Sequence, residues 1–161
     1  MTQPPEEVRF IENVKILIRA VKDCLEKLTS EGLNVADPNL LILASNILPT
    51  LSPVNVIESF IVQSHLYWGT VNSRDEKYFI SNAAQIFGPI PGVDMQTLKY
   101  IFESEKNGEP IIPMTRKNQI WSLLSSMIKI SIKYIYKHKE NTALPHSTLM
   151  MHAKMWNIIL E

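Results

Sequence analysis

Apolar residues recur along this chain at helical intervals, and the first run is the clearest. Ile11, Val14, Ile18, Val21, Leu25 and Leu28 stand alternately three and four positions apart, which is an a/d seam. Phe10, Leu17 and Cys24 recur every seven residues beside the seam and widen it. Pro4 and Pro5 followed by Glu6 and Glu7 suit a helix start, because proline lacks the N–H and acid suits the positive end of the helix dipole. Asp23 and Lys27 stand at a favourable i,i+4 spacing, and Gly32 suits a helix end. The seam is short for an extended coiled coil, so the expectation is a bundle helix lying in a groove of its own domain.

The second pattern is different. In "DPNLLILASNILP" Asp37 offers a cap and Pro38 the first helical position. Leu40, Leu41, Ile42, Leu43, Ile47 and Leu48 cover almost the whole circumference, and a helix apolar all round is expected at the centre of the fold. Ser52 and Pro53 repeat the same start for a third helix, with Ile57, Phe60, Ile61, Ser64, Tyr67 and Trp68 on one face and Gly69 weakening or ending it. A fourth begins at Ser73, where Ser73-x-x-Glu76 fits a capping box. It carries Tyr78, Phe79, Ala83, Ile86 and Phe87 and stops at Gly88-Pro89. Asp94 caps a fifth over roughly 95–104, with Leu98, Ile101 and Phe102 inward.

"SEKNGEPIIP" interrupts this periodicity. Asn107-Gly108 is a turn signal, and Ile111-Ile112 reads as one short extended piece without a sheet partner. A sixth helix, capped by Thr115, is expected over roughly 115–139, with Ile120, Trp121, Leu124, Met127, Ile128 and Ile135 inward. The last, from about 147, carries Leu149, His152, Met155, Trp156 and Ile159. No stop signal precedes Glu161, which leaves open a frayed or truncated end. These patterns predict an all-α fold, a single-domain irregular helical bundle over 1–161 with about six to seven helices.

Composition narrows the class. The 161 residues are 45% hydrophobic and 20% charged, a globular balance. A lone Cys24 excludes an internal disulfide framework and favours a reducing compartment. The N-terminus has no apolar signal region, and no apolar run is long enough for a membrane span. The expected location is therefore intracellular, in the cytoplasm. Net charge is zero, but 114–161 has seven basic and two acidic side chains, whereas 32–113 has four and eight. The basic third can meet an acidic partner or, the favoured reading, the acidic middle of its own fold.

Chemistry finds little purchase. The five glycines form no phosphate-binding loop. His65, His138, His146 and His152 lack metal-ligand spacing, so neither metal nor cofactor is expected. Cys24 reads as a small core hydrophobe. Asp75-Glu76 reads as first-turn acid and not as a catalytic pair, because adjacent helical residues point apart. Arg116, Lys117, Lys129, Lys133, Lys137 and Lys139, with Tyr134, Tyr136 and His138 nearby, make a candidate nucleic-acid ridge. Lysines near a helix C-terminus are also ordinary dipole complementarity.

The stretch "YWGTVNSRDEKYFISNAAQIF" (67–87) resembles small helical proteins of the nucleocytoplasmic large DNA viruses. The matching positions are Trp68, Val71, Arg74, Asp75, Glu76, Phe79, Asn82, Ile86 and Phe87. The resemblance implies a viral protein of the virion or host cytoplasm and supplies no catalytic residue. Tyr67-Trp68-Gly69-Thr70 also resembles the Asn-Trp-Gly-Arg step of viral Bcl-2-like bundles, without either flanking polar residue. The leading expectation is a non-enzymatic protein–protein interaction or assembly module, binding a protein partner or itself. Met151, Met155 and Trp156 on the last helix are its candidate contacts, if the core does not take them. Nucleic-acid binding and a helix-binding groove are the alternatives.

Overall fold

The computed structural model describes residues 4–33, 39–87, 93–138 and 144–160. Asp37, Pro38, Gly88 and Pro89, expected at helix boundaries, and Lys139 of the expected basic ridge lie outside them. Helix dominates the described residues, and the only strands among them are two residues long. The fold is all-α, as the periodicity predicts.

The frame is a pair of long helices. Helix α1 (Glu6–Ser30) buries its entire seam together with Phe10, Leu17 and Cys24. It starts where expected, with the Pro5 carbonyl accepting from Val8 N and Arg9 N at 3.1 Å. It ends on Gly32 at φ +87°, and Leu33 N donates to Leu28 O across the turn at 3.1 Å. That glycine supplies the left-handed residue a helix stop of this type needs. Helix α8 (Met114–Lys137) packs along α1. Its N-terminal Arg116 meets Asp23 at 3.6 Å and its C-terminal Lys137 meets Glu6 at 2.6 Å. Asn13 Nδ2 donates to Ser126 Oγ at 2.8 Å between them. The two helices are therefore antiparallel. The basic third does meet acid within its own fold, but on α1 and not in the 32–113 segment.

Between them the chain lays down α2 (Asn39–Ile47), a 3₁₀ turn (Leu48–Thr50) and α3 (Pro53–Ser64), then a second 3₁₀ turn (His65–Tyr67) and α4 (Trp68–Asn72). The direction changes at His65–Tyr67. Gly69 lies inside α4 and faces Met155: a Cβ there would stand 3.7 Å from the Met155 methyl, an ordinary van der Waals contact. The expected fourth helix is two short ones, α5 (Glu76–Ser81) and α6 (Ala83–Phe87). Asn82 separates them, its side chain donating to Tyr78 O at 2.9 Å, an alternative local bond of the kind that interrupts a helix. The cap of α5 is Asp75, not Ser73; Asp75 accepts from Tyr78 N, while Ser73 donates its hydroxyl back to Thr70 O and closes α4. Between the two, Arg74 adopts φ +55°.

Helix α7 (Met95–Glu103) is capped by Asp94 as predicted, Thr97 N donating to its carboxylate at 2.9 Å. The 105–113 region corrects the sequence reading. Strands β1 (Glu105–Lys106) and β2 (Glu109–Pro110) pair antiparallel around Asn107 (φ +56°) and Gly108 (φ +79°), a two-residue turn needing two left-handed positions. Ile112 takes no part in pairing and is buried in the core. Helix α8 starts at Met114, with Pro113 and not Thr115 at the cap position. Helix α9 (His146–Met155) stops well before Glu161. Asn157 takes φ +57° and Ile158 N donates to Ala153 O at 2.8 Å; asparagine does here what glycine does after α1.

Buried residues of all these helices join one contiguous apolar cluster. At its centre Phe79 touches Phe87, Phe102 and Trp121 with ring centroids 4.4–5.7 Å apart. Helix α2 does not sit there. Only Leu41 and Ala44 of its residues are buried, while Leu40, Ile42, Leu43 and Ile47 are exposed. Truncating two leucines separates these environments. Leu25→Ala in the α1 seam is expected to cost about 2–5 kcal/mol in urea unfolding, and Leu43→Ala on α2 within about 0.5 kcal/mol.

Candidate interaction surface

The residues singled out from sequence are scattered. Trp156 is 5% exposed and belongs to the core cluster. The chain turns at Asn157 directly after α9, and Trp156 N donates to His152 O at 2.9 Å, which folds the indole inward. Met155 is half-buried against Gly69, and Met151 alone of the three is exposed, at 53%. They do not share a solvent face.

The basic ridge is likewise divided. Lys117 is 7% exposed, and its ammonium donates to Phe102 O at 2.8 Å. Arg116 and Lys137 face Asp23 and Glu6. Burial pushes the Glu6 carboxyl up, but the Lys137 hydrogen bond and the Lys137 and Arg9 charges outweigh it and hold it below the ordinary carboxylate range. Tyr134 is buried, donates to Glu58 at 2.9 Å and stacks on His138 at 4.3 Å. Lys129 and Lys133 remain exposed.

The aromatic stretch at 64–82 is a corner. Trp68 is fully buried, and its Nε1 donates to Ser64 Oγ at 2.9 Å. His152 of α9 packs edge-on against it, ring centroids 5.0 Å apart. Arg74, Asp75, Glu76 and Lys77 are exposed. Asp75 is occupied as a cap, and the Arg74 guanidinium donates to Asn118 at 3.2 Å and lies 5.7 Å from the Trp121 ring centre. The charge on His65 helps to lower the pKa of His152. Among the described residues no cluster of three His, Cys, Asp or Glu side chains is placed to hold a metal. Cys24 is buried, which pushes its thiol up to about 11.

What stands out lies elsewhere. On α2, Leu40, Leu43 and Ile47 follow at i, i+3 and i+7, one stripe of a helix. Each is exposed, Leu43 at 51%, and Leu51 and Val54 continue the apolar surface past the helix end. Beside the stripe, α1, α2 and α3 enclose a cavity of about 140 Å³ lined by Phe10, Val14, Ala44, Ile47, Leu51 and Phe60, among other apolar residues. Ile47 and Leu51 are both lining and exposed, so the cavity opens to solvent at the stripe. No polar side chain lines it. The sequence signal for this surface is a helix apolar all round, which needs cover all round; the expected burial within the chain reaches only Leu41 and Ala44.

A second hollow, of about 330 Å³, lies between α1 and α2. Lys15, Arg19 and Lys22 line it along α1, and Ser45 and Asn46 line it on α2. Exposed apolar surface in contiguous patches marks interaction sites more often than it marks idle surface. Comparison of the chain with models of protein families, with curated proteins and with solved structures finds no match.

Two buried groups make measurable predictions. Burial, and then the neighbouring His65, hold His152 below the ordinary histidine range, and burial does the same for His65. The unfolded chain therefore takes up these protons first as pH falls through about 6.5, and stability falls with it. The melting temperature is expected to drop between pH 7 and 5, and His65→Gln should flatten that drop. Cys24 should stay unreactive to a thiol reagent at pH 8 in the folded protein and react fully once unfolded in urea.

Proposed function

We propose that the protein is a non-enzymatic interaction or assembly module that docks a protein partner on the exposed face of α2 and the cavity beside it. The observation that carries this reading is the stripe of Leu40, Leu43 and Ile47 at the mouth of an all-apolar cavity. A chain that leaves such residues in water forgoes burial free energy, on the order of 25 cal/mol per Å² of apolar surface, and a partner recovers it. Aliphatic side chains around a pocket also suit the centre of an interface, where a few well-packed anchors carry most of the binding energy. No cavity lining or polar cluster described here supplies a nucleophile with its base, as an enzyme reading would need.

The setting we infer is viral, virion-associated or host-interacting, and it rests on the 67–87 resemblance alone. Of the residues behind that resemblance, Trp68, Val71, Phe79, Ile86 and Phe87 are core and build the fold, Asn82 is half-buried, and Arg74, Asp75 and Glu76 are exposed; Phe87 alone of them lines the cavity beside α2. The Bcl-2-like reading draws on Trp68 and Gly69, and neither lines the apolar cavity. For nucleic-acid binding, the described ridge residues leave Lys129 and Lys133 exposed, while Lys117 is buried and Arg116 and Lys137 are paired with acids of α1.

Leu43→Asp and Ile47→Asp should each leave the circular dichroism spectrum and melting midpoint near wild type, because both sites are exposed. Each should weaken a purified partner complex by about tenfold or more, the loss expected at an interface anchor. Lys129→Glu with Lys133→Glu should leave the complex intact under nuclease. Unchanged binding in both aspartate variants, or loss in the lysine variant, would contradict the reading.

A further inference from the structure

We infer that the partner segment is acidic as well as apolar: it places one large apolar side chain in the cavity beside α2 and its carboxylates against Lys15, Arg19 and Lys22. This rests on the proposed docking function and adds the chemistry of the occupant. Two observations on opposite flanks of α2 carry it.

The first is size. The apolar cavity holds about 140 Å³. An engineered cavity of about 150 Å³ lined by Leu, Ile and Phe stays dry and takes a molecule the size of benzene. The space here therefore fits one phenylalanine- or leucine-sized group. A lipid acyl chain of a dozen or more methylenes exceeds it, which favours a peptide side chain over a membrane. With no polar side chain in the lining, little there rewards a polar group on the anchor.

The second is charge. Lys15, Arg19 and Lys22 recur at i, i+4 and i+7 on α1, and all three line the 330 Å³ hollow on the other flank of α2. No acidic side chain of the described residues lines that hollow. Lys15 meets Glu12 at 3.1 Å and Lys22 meets Glu26 at 3.2 Å, both partners lying on α1 itself. Exposed pairs of this kind contribute little and exchange readily. Arg19, exposed between them, presents the forked donor set that suits a carboxylate. Ser45 and Asn46 add polar groups from the α2 side. Ile18, itself buried, lines both hollows, so they flank one nine-residue helix, and a segment laid across the outside of α2 would span a helix diameter of about 10 Å to reach both. Three like charges along the row also disfavour a second copy of the same face packed against it.

The test is a display library of random linear peptides panned against the full chain, followed by titration of the enriched peptides. Enriched peptides are expected to combine one Phe, Leu or Trp with two or more Asp or Glu. Their affinity should fall about tenfold on Arg19→Glu with Lys22→Glu, and steeply with added salt. The milder Arg19→Gln with Lys22→Gln should show a smaller loss in the same direction, and circular dichroism checks that both pairs of substitutions leave the fold intact. Neutral or basic peptides that bind, lose affinity on Leu43→Asp and ignore the Arg19 and Lys22 changes would overturn the acidic partner and leave the docking function standing. Failure to enrich any peptide, capture by anionic phosphatidylserine vesicles instead, or self-association lost on Leu43→Asp would overturn the inference outright.

Discussion

The antiparallel packing of α1 on α8 is the constraint on which the rest of the molecule depends. Each helix exceeds twenty residues, and their apolar faces form the largest share of the core. Burial drives them together without fixing their relative direction or register. Polar contacts at three levels supply that: Glu6 with Lys137, Asn13 with Ser126, and Asp23 with Arg116. Of these Glu6 is the one to guard. It is almost wholly buried, and a buried carboxylate is tolerable only while paired. Once α1 and α8 are set, α3 is positioned through Phe60 on Phe10, ring centroids 5.0 Å apart. The aromatic group around Phe79 fixes α5, α6 and α7 against Trp121 of α8.

Much of this frame is legible in the residues. The 3–4 spacing of Ile11 to Leu28 identifies the buried face of α1, Gly32 and Asp94 mark real boundaries, and Leu98, Ile101 and Phe102 point inward. These are local signals, and local chemistry decides them. The failures share a cause: choices between equivalent local options are made by neighbours distant in sequence. Ser73 and Asp75 can both cap a helix; Asp75 does so, after a left-handed Arg74 whose guanidinium lies against Asn118 and Trp121 of α8. Asn157 carries the same stop capacity as glycine but is common elsewhere, so it gives no warning. Lys117 looks like a surface cation until Phe102 O is brought to its ammonium. Asp23 looks like the partner of Lys27 until α8 brings Arg116.

The candidate site was legible in part. Met151, Met155 and Trp156 are residue types that suit interfaces, on one expected helix face, and burial divides them. The apolar circumference of α2 is plain in the sequence; its environment is not. Periodicity reports that a helix needs apolar cover on every side; it does not report whether that cover lies within the chain. Here α1 covers Leu41 and Ala44, and the remaining sides meet solvent. Under the proposed reading, the mismatch between composition and burial is the signal of that function. It places the proposed interface on α2, flanked by an apolar cavity on one side and a basic row on the other.

Residue-level oxidative footprinting of the free monomer by hydroxyl radicals tests this claim most directly, because it reads side-chain exposure in solution. The account predicts that Leu40, Leu43, Ile47 and Leu51 oxidise readily while Leu41 and Leu48 are protected, and that a bound partner protects the first group. Protection of Leu43 and Ile47 in the free monomer to the level of Leu41 would contradict it, since α2 would then be covered by the chain itself.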